Sequence, residues 1–98
     1  SAQARETRVA VLAVAQDRAG ALRARAHPEP PVPPDGPVPR GMDLIAVPYD
    51  RTAALADEIT GYTDAVVALG PAPLREAVVA RLRAAVEMGE RLAGENRG

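Results

Sequence analysis

Between Met42 and Gly89 the hydrophobic period of the chain switches three times, and the order of those switches limits the folds open to it more than any other feature. MDLIAVPYD is an apolar run of strand length, and RTAALADEITGY then places Leu55, Ile59 and Tyr62 at helical spacing. TDAVVALG is strand-like again, and after PAP the stretch LREAVVARLRAAVEMG returns to the helical period. The local signals fit these elements. Asp50 or Thr52 is placed to cap the first helix, Gly61 stands where a left-handed residue ends one, Gly70-Pro71 stops a strand at Leu69, and Pro73 suits a first helical turn. The last helix is expected to bury Leu74, Val78, Leu82, Ala85 and Val86, with Arg75, Glu76, Arg83, Glu87 and Arg91 in water. Residues 90–98 are expected to fray.

Upstream, RVAVLAVAQ (residues 8–16) is a continuous apolar run, as an interior strand covered on both faces requires. Asp17 is placed to cap a following helix whose apolar side is Ala19, Leu22 and Ala26. Residues 27–41 hold seven of the ten prolines, which excludes a helix or a central strand because proline brings no N–H to either. A proline-rich loop and a ragged edge strand both remain open there, with Asp35-Gly36 as a turn that folds the segment back onto the strand from Met42. Residues 1–7 read as a tag remnant and lead-in at the cut edge of a longer protein.

In order, the elements give β-α-(β)-β-α-β-α: an α+β, ferredoxin-like βαββαβ sandwich over residues 8–89 with an additional C-terminal helix. Its strand order, 4-1-3-2, puts the proline-laden second strand at an edge and the two most apolar strands in the middle. Both faces of those middle strands are apolar. Val9, Val11, Ala13 and Ala15 oppose Ala10, Leu12 and Val14; Met42, Leu44 and Ala46 oppose Ile45, Val47 and Tyr49. The helices of such a fold cover one face, so the second face calls for the last helix, a twin subunit or an adjoining domain.

Composition narrows function by exclusion. Twelve basic and thirteen acidic side chains leave a net charge of -1, which removes the general electrostatic attraction to nucleic acid. No Cys is present, so thiolate chemistry and disulfides are excluded, and no run approaches the ~20 apolar residues of a membrane span. The chain reads as cytoplasmic and as no membrane protein. With Phe and Trp absent and two Tyr, the core is aliphatic and thin, and contacts with another chain or domain are expected to support it. His27 and Ser1 are the sole residues of their types, which rules out a Ser-His-Asp constellation, and the eight Gly form no phosphate loop. No catalytic residue, metal ligand or cofactor is therefore assigned, and the chain reads as no enzyme. The candidate interaction residues are Arg18, Arg23 and Arg25 on the first helix, as an anionic contact, and Arg75, a cation set near a helix start against the dipole.

The run VPYDRTAALADEITGYTDAVVALGPAPLREAVVARLRAAV resembles the C-terminal extension (WCX) domain of WYL-domain transcriptional regulators, the group that includes the proteasome accessory factor regulators of actinobacteria. The resemblance is carried by Leu44 to Val47, Leu55 to Ile59, Ala65 to Leu69 and Pro73-Leu74-Arg75; RVAVLAVAQDRAGALRARA is similar to the family's entry strand and helix. It departs at the proline segment, where the family often has a clearer second strand. The resemblance implies a regulatory and oligomerisation domain, expected as a homodimer. Its further partners would be a WYL domain and a helix-turn-helix domain of the same protein, with DNA met only through the latter. The alternative is an ACT-like small-molecule-sensing domain.

Overall fold

The structure, a computed structural model, describes residues 8–29, 31 and 37–96. The elements run β1 (Arg8–Ala15), α1 (Gly20–Ala24), β2 (Met42–Tyr49), α2 (Thr52–Thr60), a 3-10 turn (Thr63–Ala65), β3 (Val66–Gly70) and α3 (Ala72–Asn96). The strands form one antiparallel sheet in the order β2-β1-β3. Because β2 and β3 are the third and fourth strands of the βαββαβ plan, this is its 4-1-3 portion, and the α+β class read from the sequence holds. β1 is central, as its length of uninterrupted apolar residues demands. β2 lies at the edge of the described sheet, where Pro48, paired with Val9, is tolerated near the strand end.

No strand forms among the described residues of 27–41. Among the described residues the segment meets β2 through the His27 N–H, which donates to the Ala46 carbonyl at 2.7 Å. The lead-in of residues 1–7 and the Asp35-Gly36 turn lie outside the described residues.

Several local expectations are corrected. Asp17 does not cap α1. The turn closed by the Arg18 N–H on the Ala15 carbonyl at 3.1 Å holds Asp17 at φ 61, and the helix starts three residues later, with Ala19 as N-cap at φ 58. α2 is preceded by an extended Arg51 as N-cap, with no side-chain cap bond. Gly61 is right-handed at φ -65, because the chain continues into the 3-10 turn, and the left-handed residue is Thr63 at φ 55. That turn delays the last strand from Thr63 to Val66 and carries it to Gly70. Finally, α3 does not fray at Gly89 but runs to Asn96, through Glu90, Arg91, Leu92 and Ala93, all good helix formers.

One face of the sheet carries the core. Ala10, Leu12, Val14, Val47, Val66 and Ala68 point to the same side and pack on Leu22 of α1, Leu55, Ala56 and Ile59 of α2, and Leu74 and Val78 of α3. No aromatic ring is fully buried. The largest such side chains are Leu12, Leu22, Ile59 and Leu74, so the interior is as aliphatic as the composition requires.

Candidate functional site

Every buried residue of α1, α2 and α3 belongs to that one cluster, so the other sheet face has no α-helix upon it among the described residues. Register places Val9, Val11, Ala13 and Ala15 of β1 there, beside Pro48, Ala46, Leu44 and Met42 of β2 and Val67 of β3. Ala13, flanked by Leu44 and Val67, and Ala46 are buried; Val9 is exposed; Val11, Leu44 and Val67 are half-buried. The expectation of cover by the last helix is answered by α3, which lies on the first face against α2 and β3.

α3 also supplies a second apolar surface, which the sequence pattern assigned to the core. Leu74 and Val78 are buried, but Leu82 is 38% and Val86 59% exposed, and Ala85 is exposed too. The reason is length. At 1.5 Å per residue, 25 residues of α3 reach about 37 Å, whereas the nine residues of α2 beneath it reach about 13 Å. From Leu82 to Asn96 every residue is exposed. Leu82, Val86, Met88 and Leu92 are thus bare on the projecting part, as is Val79 just before it, and a groove of 450 Å³ runs along Val79, Leu82, Arg83, Val86, Glu87 and Glu90. Comparing the span of α3 with the span of its neighbours was the available signal.

The four arginines singled out in the sequence do not converge. Arg23 donates from Nε to the Arg18 carbonyl and from a terminal nitrogen to the Ala15 carbonyl, both at 2.7 Å, and pairs with Asp43 at 3.1 Å, fastening the β1–α1 turn to β2. Arg25 grips Glu58 through two bonds of 2.9 and 2.7 Å, which tie the end of α1 to α2. Donating these hydrogen bonds to Glu58 raises the Arg25 pKa, outweighing the opposing desolvation, with the carboxylate's charge adding to the rise. A raised folded pKa gives stability that is complete below the unfolded value, itself far above neutrality, and is lost only as pH climbs through the folded one, so this guanidinium contributes no pH dependence near neutrality. Arg18, beside the first turn, and Arg75, in the first turn of α3, are exposed.

One hollow combines polar and apolar walls. It measures 620 Å³ and is lined by Arg8, Val9, Tyr49, Thr52, Pro71 and Pro73. Arg8 donates to the Thr52 hydroxyl at 3.3 Å, and the Tyr49 hydroxyl is buried with no hydrogen-bond partner.

Fold and surfaces together define a small α+β domain whose distinctive asset is apolar area left uncovered on two sides. The WCX domain model matches residues 6–86, and the chain belongs to that family, the C-terminal extension of WYL-domain transcriptional regulators that its sequence resembles. Among solved structures it is similar to proteasome accessory factor B/C (PafBC) of Arthrobacter aurescens, at 37% identity and a TM-score of 0.71. That similarity covers 83% of this chain and 12% of the other, so the chain spans only a small part of that protein's length. No curated protein sequence matches. Among the described residues, no helix is long and apolar enough to cross a membrane.

Proposed function

We propose that this domain is a noncatalytic regulatory and oligomerisation element of a WYL-type helix-turn-helix transcriptional regulator, acting in the cytoplasm. It couples effector sensing in a preceding WYL domain to the DNA-reading domains, and it works through contact: packing on its helix-free sheet face alters how the DNA-reading domains are spaced. DNA is met by the helix-turn-helix domain and not by these residues, whose net charge of -1 offers phosphate no general attraction. Self-association into a homodimer belongs to the same reading. Arg18 and Arg75, both exposed, are available for acidic groups on a neighbouring domain.

The observation that carries the proposal is the helix-free face itself, where three strands line up apolar side chains in register. Titrating this chain into the separately produced preceding domains of its parent regulator tests it. Saturable binding is expected, and Leu44→Glu, which puts a charge at the middle of that face, is expected to weaken it at least about tenfold. Absence of binding by the unaltered chain at high micromolar concentration would overturn the reading.

The unpartnered Tyr49 hydroxyl favours one second reading, the ACT-like sensor. A small carboxylate in the neighbouring hollow would find a donor in Tyr49 and a cation in Arg8. A thermal-shift screen of amino and organic acids decides it, since a ligand at 100 times its dissociation constant stabilises by about 2.7 kcal/mol.

A further inference from the structure

The projecting half of α3 carries a pattern that the core does not use. Val79, Leu82, Val86, Gly89 and Ala93 recur at alternating spacings of three and four, which is the seam of a two-helix coil. One border of the seam holds Arg83 and Glu90, seven apart and opposite in charge, and the other holds Ala85 and Leu92, seven apart and apolar. Neither Arg83 nor Glu90 has a side-chain partner among the described residues. The seam is also bare, with Val79, Leu82 and Val86 39%, 38% and 59% exposed, and so is Leu92 on its apolar border at 52%. A helical stretch of this length in water is marginal by itself, so a partner is what its stability calls for.

We infer that α3 pairs with α3 of a second copy of this chain, antiparallel, about a two-fold axis lying between residues 87 and 88. This rests on the self-association in the reading above and names its surface. Charge selects the arrangement. In this register Arg83 of each copy stands opposite Glu90 of the other, Leu82 meets Ala93, Ala85 meets Leu92, and Val86 packs over Gly89. An antiparallel register slid by one heptad, about two turns, brings Arg83 against Arg83. A parallel pair sets Arg83 and Glu90 against the apolar border, so neither finds a partner. Gly89 is accounted for in the same way: a glycine inside an exposed helix costs stability, nothing lies within 4 Å of where its Cβ would stand, and the missing side chain is room for Val86 of the second copy. The WCX match ends at residue 86, whereas α3 continues to Asn96, so half of the seam lies beyond what the family model describes.

Sedimentation velocity and cross-linking of the 98-residue chain test the inference. The unaltered chain is expected to sediment at twice its 10.2 kDa. Val86→Asp should leave it monomeric. Arg83→Glu and Glu90→Arg should each weaken the dimer about fivefold or more, by setting like charges opposite, and the double variant should recover to within about twofold. Both positions are exposed, so circular dichroism should show every charge variant folded. The chain has no native Cys, so thiols introduced by Leu82→Cys and Ala93→Cys are unique. A disulfide needs Cα atoms within about 7 Å, and the two variants should cross-link to each other and not to themselves. A monomer at 100 times micromolar concentration, an undiminished dimer in Val86→Asp, a double charge variant no better than the singles, or self-linked Leu82→Cys would each overturn the proposal. Protection of the seam by the preceding domains, with the chain monomeric, would assign it to them and overturn it likewise. In that case the regulatory reading stands, because binding through the sheet face is measured separately.

Discussion

α3 is one helix in two environments. Over residues 72–81 it lies on the sheet with Leu74 and Val78 buried and Ala77 partly so, and over residues 82–96 the same kind of sequence, with Leu82, Val86, Gly89 and Ala93 at helical spacing, is exposed. Nothing in the local pattern marks the change. The change falls where α2 and β3 end beneath the helix. Amphipathic periodicity says which side of a helix seeks cover, and the extent of the neighbouring elements says how far that cover reaches.

The largest test of the contrast is truncation of one leucine or valine in each half. Leu74→Ala removes a fully buried side chain from the core cluster and is expected to cost about 2–5 kcal/mol, enough to threaten a domain of this size. Val86→Ala, in the projecting half, is expected to change the stability of the monomer by less than about 0.5 kcal/mol. Urea unfolding at concentrations too low for association compares them directly. Similar losses in the two would mean that the second half is covered within a single chain, and the contrast would fail.

A smaller effect is expected at the boundary. Arg81 is the last residue of α3 tied to the body of the domain, donating to Asp57 of α2 at 2.6 Å and to the Ala77 carbonyl at 3.1 Å. Asp57 is 71% exposed in its side chain, so the pair is screened by water and its loss in Asp57→Asn should cost about 0.5 kcal/mol. The cost should fall further in molar salt. Hydrogen exchange adds the spatial detail: amides after residue 81 should gain exchange rate relative to those before it, in the variant and in the unaltered monomer alike.

The order of elements and the central place of β1 were legible because each rests on composition and period within a short window. Leu22, Leu55, Ile59 and Leu74 were identifiable as inward-facing for the same reason, whereas the two apolar faces of β1 left the side of Leu12 open. What escaped was set by geometry between elements. Asp17 reads as a cap by type, yet a tight turn closed on Ala15 takes it away from the helix start. Gly61 reads as a left-handed stop, yet the following 3-10 turn moves that conformation to Thr63. Of the candidate contact residues, Arg23 and Arg25 find intrachain partners in Asp43 and Glu58, residues 20 and 33 positions away that only the fold brings near. Charge type was visible in the sequence, and pairing was not. The bare seam of α3 was in plain view as a pattern and was misassigned to the core, because a periodic stripe carries no record of where its cover ends.

The finest probe of the two halves is Gly89→Ala, because it separates what the helix prefers alone from what a pairing needs. In the isolated helix the position is right for alanine: Gly89 lies in the helix interior, has no unusual backbone angle, and has open space where a Cβ would go. The substitution should therefore stabilise the monomer, by about 0.5–1 kcal/mol at most, seen as increased helical ellipticity at low concentration. In an antiparallel pair the same methyl group enters the space that Val86 of the second copy fills, so association should weaken while helicity rises. Two effects of opposite sign from one methyl group are not expected of a helix that merely projects into solvent. If ellipticity and dimer affinity rise together, Gly89 is a passive surface position, and the projecting half of α3 meets its partner along a different line.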